Sequence, residues 1–183
     1  MLVTVMLTLH LEPEEYWDEI KSEFILLKEK DFHFNHCLKA ISKWESITHK
    51  VFLSRYEKRT IEDLKLYIKC MCEENISDNE LYAIIYKYGD EIKSYLDTKQ
   101  TATSVRLPNN NRGNSDVLTS EVIYYYMAAA MIPYECDTWH ISRLLALLEV
   151  AAAKSQPEKQ MSRKAIYEQN ALLNKARRAG RHG

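Results

Sequence analysis

Metal-ligating side chains lie close together in the sequence at His33, His36 and Cys37. Imidazole nitrogens and thiolates are the ligands that zinc prefers in proteins. The spacing of these three residues is not a standard zinc pattern, and the chain shows no second ligand pair. We therefore expect an ordinary cluster at the end of a strand, and no metal site.

A second group of chemically capable side chains, Trp139, His140 and Arg143, lies in the most distinctive stretch of the chain, residues 121–148. His140 and Arg143 are one helical turn apart, so the imidazole could act as a general base or bind an anion together with the guanidinium. No nucleophile or acid accompanies them in the sequence. We favour a structural interpretation, in which Trp139 packs in the core and the other two hydrogen-bond neighbouring backbone or Glu135.

Short motifs of nucleotide-binding and hydrolytic sites are absent from the sequence. It contains no GxxxxGK[ST], GxGxxG, GxSxG or HExxH pattern. The chain has only four glycines in 183 residues, which further disfavours phosphate-binding loops. The sequence therefore predicts a protein that is not an enzyme and has no cofactor.

Residues 1–36 have the composition of a small antiparallel sheet. Residues 2–9 are rich in Val, Leu and Thr, residues 24–27 are apolar, and residues 31–34 alternate polar and aromatic side chains. We expect three strands from these segments.

From Leu38 onwards the apolar side chains recur at helical spacing. The expected buried stripes are Leu38, Ile41, Trp44 and Ile47; then Ile61, Leu64, Ile68 and Met71; then Leu81, Ile84 and Ile85. Capping boxes begin the second and third of these helices, at Thr60 and Ser77. Gly89 is expected to end the third helix, before a short one that carries Ile92, Tyr95 and Leu96.

Two apolar helices are expected on either side of a break at Ile132-Pro133. Thr119 or Ser120 would cap the first helix, which runs to Met131, and Asp137 or Thr138 would cap the second, which runs to about Ala153. A last helix is expected from Ser162 to Ala179.

The predicted organisation is a β-rich element at 1–36, a helical core domain at 37–154 with a flexible loop at 101–117, and a basic tail at 155–183. The fold class is α+β and mainly α, with a compact helical domain and a helical tail.

Charge is distributed unevenly along the chain. Residues 154–183 contain eight Lys or Arg and two acids, a net of +6, whereas the remainder contains 17 bases and 24 acids, a net of −7. A basic tail on an acidic body is expected to dock on an acidic surface, its own or a partner's, with nucleic acid the less favoured partner. The apolar stripe of the tail is too thin for a stable isolated helix, so the tail either stays solvated or folds on a partner. The tail residues expected to make contacts are Arg163, Lys164, Asn170, Asn174, Arg177 and Arg178.

The cysteines and the hydropathy suggest a cytoplasmic protein. Cys37, Cys70, Cys72 and Cys136 have neither redox nor zinc spacing, so free buried thiols are expected. No stretch approaches the roughly 18 consecutive apolar residues of a membrane span. The opening residues also lack the basic region and cleavage site of a signal peptide.

Three successive tyrosines at 124–126 cover most of the circumference of a helix, so at least one must leave the core face. This predicts a protein-binding surface. The residues expected to form it are Tyr125, Tyr126, Met127, Met131, Trp139, His140 and Arg143.

Several blocks of sequence, spread from about Tyr16 to the end, together resemble one family. The blocks are Ile41-Ser-Lys-Trp44-Glu45, Phe52-Leu53, Leu66-Tyr67-Ile68-Lys69-Cys70-Met71, Thr101-Ala102-Thr103, Ser120-Glu121-Val-Ile-Tyr-Tyr, Ile132-Pro133-Tyr-Glu135-Cys136, Trp139-His140-x-x-Arg143-Leu144, Met161-Ser162, and Asn170-x-x-x-Asn174-x-x-Arg177-Arg178. They are similar to small proteins from the tail-gene module of long-tailed bacteriophages, often described as tail assembly chaperones. The chain departs from the family pattern at Val51, Tyr126 and residues 180–183.

The resemblance implies a non-catalytic assembly factor in the cytoplasm of the infected bacterium. Its implied partners are the helical, aggregation-prone tape-measure protein and the tail-tube protein, with self-association also open. Two other interpretations stay open. One is a permanent minor virion component of the tail, baseplate or connector, whose tail threads between neighbouring subunits. The other is a nucleic-acid-binding accessory protein that uses the basic tail.

Overall fold

The computed structural model describes residues 6–18, 22–54, 58–103, 118–155, 167–168, 170–173 and 177 of the chain. Within these ranges the protein is α+β and mainly α, as predicted, with two small antiparallel sheets beside a set of helices. Residues 104–117, which make up most of the expected loop, lie outside the described residues. No helix in the described ranges is long and apolar enough to cross a lipid bilayer.

The β element consists of two nested hairpins rather than the single three-stranded sheet that was expected. Strand β1 (Leu7–Leu11) pairs with β4 (Lys30–Phe34), and between them β2 (Glu14–Asp18) pairs with β3 (Glu23–Leu27). Strand β2 was not predicted, because its two glutamates have low strand propensity. Its in-register pairing with the apolar strand β3 compensates for that weak local preference.

Alternation along β1 and β4 separates a core face from a solvent face. Leu9 lies opposite Phe32 and both are buried in the core. His10 lies opposite Asp31 on the other face, where the imidazole Nδ1 and the carboxylate are 2.7 Å apart. The pairing register therefore follows directly from which side chains must leave water.

The helices follow the strands in chain order. They are α1 (Leu38–Thr48), α2 (Ile61–Met71), α3 (Asp78–Asp97), α4 (Ser120–Ala129), a 3-10 helix (Tyr134–Thr138) and α5 (Ile141–Ser155). Both predicted capping boxes are present, at the starts of α2 and α3. Helix α3 is interrupted beside Gly89, as predicted, because the backbone is non-helical at Tyr88, where φ is −123° and ψ is 18°, and two helical stretches meet there at a kink.

The predicted buried stripes of α1 and α2 are partly wrong, because Ile47, Ile61 and Leu64 are exposed. The cause in α2 is Asp63, whose carbonyl oxygen accepts a 2.8 Å hydrogen bond from the buried indole of Trp44. This contact turns Asp63 and the residue four positions on, Tyr67, toward the core. The residues at 61 and 64 consequently face solvent.

The start of α5 also differs from the prediction. Asp137 and Thr138, the expected caps, belong to the 3-10 helix, and α5 begins only at Ile141. The carbonyl of His140 accepts the first α5 hydrogen bonds, from the backbone N–H groups of Arg143 and Leu144. The Pro133 carbonyl instead accepts from Cys136 N and so closes a tighter turn.

Glu45 of α1 is a buried carboxylate that joins three segments. One oxygen accepts a 2.8 Å hydrogen bond from the backbone N–H of Phe52, in the turn after α1. The other accepts a 2.7 Å hydrogen bond from the backbone N–H of Ser120, the first residue of α4. The charge lies at the positive end of the α4 dipole, which favours it further. Glu45 thus fixes α4 against α1.

We expect Glu45→Ala to lower the free energy of unfolding by about 3 kcal/mol, since it leaves two buried backbone donors without an acceptor. Glu45→Gln keeps one acceptor oxygen and should cost less. Lys43→Ala, at an exposed position of the same helix, is the matched control and should change stability by less than about 0.5 kcal/mol. Urea unfolding followed by circular dichroism measures all three, and equal values for Glu45→Ala and Lys43→Ala would contradict this role.

Candidate protein-binding surface and the buried network beneath it

Helix α4 presents two tyrosines to solvent. Ile123 and Met127, four residues apart, are fully buried and define its core face. Tyr125 and Tyr126 therefore lie on the outer side, where Tyr125 is 68% exposed and the two ring centroids are 5.7 Å apart. Met127 was predicted to bind a partner, but its complete burial makes it a core residue.

Met131 follows α4 in a left-handed conformation, with φ of 53°, and is 90% exposed. A residue with a side chain pays about 1–2 kcal/mol for this conformation. Tyr134, which sequence reasoning missed, is also exposed and lies 6.2 Å from the half-buried Tyr124 ring. The position of Tyr134 just after the Ile132-Pro133 break was the signal that could have revealed it. We call Tyr125, Tyr126, Met131 and Tyr134 the tyrosine–methionine surface.

Trp139 and Arg143 pack on each other at the start of α5. The guanidinium carbon lies 4.1 Å from the centroid of an indole ring, a cation–π contact. Trp139 is half-buried rather than a core residue. The pair forms a stiff amphipathic platform, and its nearest expected partner, His140, points away from it into the interior.

His140 is buried and fully hydrogen-bonded within the fold. Its Nε2 lies 3.3 Å from the carbonyl oxygen of Tyr95, which can only accept, so Nε2 carries the proton. Its Nδ1 is then free to accept from the Ser142 hydroxyl, 2.8 Å away. The ring packs edge-on against His36, at a centroid distance of 4.9 Å.

His36 is the centre of this buried network. Its ring Nδ1 hydrogen-bonds the Tyr67 hydroxyl, and its backbone N–H donates to the Tyr95 hydroxyl at 3.2 Å. Its carbonyl accepts a 2.8 Å hydrogen bond from the backbone N–H of Ile141. One residue therefore contacts α2, α3 and α5 through polar groups that are shielded from water.

The electrostatics of the network suit packing rather than proton transfer. Burial, with smaller contributions from His140 and Arg59, lowers the pKa of His36 to about 3. Burial also lowers the pKa of His140. Both imidazoles are neutral at pH 7. Both nitrogens of His140 and the Nδ1 of His36 bond to protein groups, so neither ring is arranged to exchange a proton with a substrate.

The three residues considered as metal ligands, His33, His36 and Cys37, lie in different surroundings. His33 Nδ1 lies 2.6 Å from Glu74 Oε1, whereas His36 faces the buried network. Among the described residues, no three His, Cys, Asp or Glu side chains are placed to hold a metal ion. Cys37 is one of four free, buried cysteines, and burial raises the pKa of each thiol.

A cleft of about 630 Å³ lies between α1 and the end of α2, and sequence reasoning missed it. Cys37, Cys70 and Cys72 line it together with Asn35. The Asn35 amide donates to the Thr138 carbonyl at 2.9 Å, and its oxygen has no protein partner. Within the described part of the chain it is the one buried side-chain polar atom in that condition. Ser42, Ser46 and Glu73 also line the cleft, and its thiols are protonated and weakly nucleophilic.

Most of the tail residues that were expected to make contacts lie outside the described residues. They are Arg163, Lys164, Asn174 and Arg178. Asn170 and Arg177 are described, and both are helical and exposed. This agrees, at those positions, with the helix predicted from Ser162 to Ala179.

The network predicts a specific dependence of stability on pH. His36 has a pKa near 6.5 in an unfolded chain and about 3 in the fold, so the unfolded state binds more protons between these values. Its stabilising contribution is complete above about pH 6.5 and is lost progressively as the pH falls toward 3. Between pH 7 and pH 5 we expect this residue to lower the free energy of unfolding by about 2 kcal/mol.

Urea unfolding at pH 7 and pH 5 tests this expectation, and His36→Gln should remove most of that loss. His33→Gln is the control with opposite sign, because the hydrogen bond to Glu74 raises the pKa of His33 and so favours the fold at low pH. The fall in the free energy of unfolding between pH 7 and pH 5 should therefore be larger in His33→Gln than in the wild type. An identical pH dependence in the wild type and His36→Gln would show that His36 is not the titrating group.

Comparison with known proteins identifies no relative of this chain. No family model matches the chain, and neither the curated proteins nor the solved structures include a significant match.

Proposed function

We propose that the chain is a non-enzymatic tail assembly factor of a long-tailed bacteriophage. It would bind the tape-measure protein and the tail-tube protein transiently, in the cytoplasm of the infected bacterium. The blocks of sequence that resemble the tail-module family support this proposal. The observation that carries it furthest is the exposure of the tyrosine–methionine surface on a well-packed helical scaffold.

The chemistry of this surface suits helical partners. Tyrosine rings supply large contact area at low entropic cost, and their hydroxyls tolerate water when the site is empty. The unbranched thioether of Met131 adapts to irregular surfaces. An amphipathic helix could lay its apolar face on such a surface, which fits a chaperone that must accept many segments of one long helical client.

The interior supports a binding role over a catalytic one. The two buried histidines are neutral and committed to hydrogen bonds inside the fold, and the thiols lining the cleft are held protonated. Nucleophile activation needs a lowered thiol pKa. Burial instead raises the pKa of Cys37, Cys70 and Cys72, and the Glu74 carboxylate, to which the Cys72 thiol donates at 3.6 Å, raises the pKa of Cys72 further.

We expect Tyr125→Ala combined with Tyr126→Ala to weaken binding to the tape-measure protein at least about tenfold, because aromatic anchors dominate interface energies. The thermal unfolding temperature should stay nearly unchanged, since both rings are exposed. Tyr82→Ala with Tyr86→Ala removes two exposed tyrosines from α3 and is the matched control. Calorimetric titration against purified tape-measure segments measures the affinity. A large fall in thermal stability without a loss of affinity would contradict the proposed role.

Mass spectrometry of purified phage particles and of infected-cell lysate tests the transient character of the function. A chaperone should be abundant in the lysate and absent from mature particles. If the chain were present in particles at a fixed stoichiometry, it would instead be a structural component of the tail, baseplate or connector. Its basic tail would then be suited to threading between neighbouring subunits.

A further inference from the structure

The β2–β3 hairpin, which we call the ribbon, carries an apolar face that is open to water. Trp17 lies directly opposite Phe24, and Leu26 lies opposite Glu15, so these four side chains share one face. Phe24 is 67% exposed and Leu26 66% exposed. The rings of Trp17 and Phe24 pack edge to face with centroids 4.9 Å apart. The ribbon therefore presents a preformed aromatic and aliphatic surface.

The opposite face of the ribbon is already in use. Tyr16 and Ile25 are partly buried against the core, and Leu27 is fully part of it. Strands β2 and β3 pair with each other and, within the described ranges, with no further strand. The outer face is thus exposed, an arrangement that usually marks an interaction site.

The charge of the ribbon restricts what could cover it. Residues 12–23 contain six acids and one base, a net of −5. Glu15 is exposed on the outer face itself, opposite Leu26, whereas Glu14 lies on the other face, opposite Leu27. A partner for this surface must combine apolar side chains with positive charge.

The C-terminal segment of the same chain has that composition. Residues 154–183 carry a net charge of +6. The described residues of this segment beyond Ser155 are helical, and among them Tyr167, Leu172 and Leu173 are exposed. These apolar side chains therefore do not rest on the body of their own chain, and they are available to another copy.

We propose that the basic tail of one copy, residues 154–183, docks on the outer face of the ribbon of a second copy. Tail apolar groups cover Trp17, Phe24 and Leu26, while lysines and arginines of the tail pair with Glu15 on the same face. Because the two surfaces differ, one such contact leaves a free ribbon on one copy and a free tail on the other, so copies can join head to tail. This inference does not depend on the proposed tail-assembly function, because it concerns copies of the chain alone.

Sedimentation velocity of the full chain tests the proposal. We expect a mass that rises above the 21.5 kDa monomer with increasing concentration at about 0.05 M salt. It should fall toward the monomer at about 0.5 M salt, where charges are strongly screened. Phe24→Ser with Leu26→Ser should weaken self-association at least about tenfold. Ile61→Ser, which removes an equally exposed apolar side chain from α2, should leave it unchanged.

Charge reversal then identifies the two surfaces. Glu15→Lys, on the outer face, should strongly weaken self-association, and so should Arg177→Glu with Arg178→Glu. Mixing these two variants should restore assembly, because each retains one intact surface that complements the other. Asp90→Lys with Glu91→Lys, a neighbouring pair of exposed acids on α3, is the control and should self-associate normally.

Three results would overturn the proposal. The first is a monomer at every concentration and salt, which would leave the ribbon for a different partner. The second is self-association that survives both the ribbon and the tail substitutions. The third is failure of the mixed variants to assemble although each is folded by circular dichroism, which would indicate docking within one chain.

Discussion

The short segment Asn35–Cys37, between the last strand and the first helix, is the constraint on which the other elements depend. Backbone hydrogen bonds fasten it on both sides, from Asn35 N to Met71 O at 2.9 Å and from Ile141 N to His36 O at 2.8 Å. An isolated bridge joins Cys37 to His140 as well. The end of α2 and the start of α5 are thereby held against one buried strand-like stretch. Side-chain burial alone would fix their distance, but these directional bonds also fix their orientation.

The polar centre built around this segment is stable because its two histidines are hydrogen-bonded and uncharged. Each nitrogen of His140 has a partner, and the His36 ring is paired with the Tyr67 hydroxyl. Burying such groups costs little once their hydrogen bonds are made, whereas adding a proton would introduce an unpaired charge in a poorly solvated site. The lowered pKa of His36 expresses that cost. The hydrogen bonds and the absence of charge that stabilise this centre also make its histidines unsuited to acid–base catalysis.

The sequence predicted the elements whose signals are local. Both capping boxes, the strands β1, β3 and β4, and the start of α4 follow from patterns contained within a few residues. The sequence-based prediction failed where contacts between residues far apart in the sequence determine the structure. Strand β2 forms because β3 pairs with it, and α2 turns Asp63 rather than Ile61 inward because the Trp44 indole lies there.

The candidate surface shows the same division between local and distant causes. The exposure of Tyr125, Tyr126 and Met131 was predicted, since three tyrosines in succession cannot all face one core. The burial of Met127 depends on where α4 packs, and the Glu45 carboxylate at its first residue helps to set that placement. A charged residue in α1 thus influences which side chains of a distant helix face water, which no pattern within α4 could reveal.

Separate surfaces with different chemistry explain how one small domain could serve assembly. The tyrosine–methionine surface is uncharged and suits apolar helices, whereas the ribbon couples an apolar face to acidic residues and suits a basic segment. Salt weakens contacts of the second kind far more than those of the first. In a head-to-tail assembly of this kind, each copy would contribute its own tyrosine–methionine surface. Each surface could then be weak alone, because several linked sites on one long partner raise the overall affinity without any new contact.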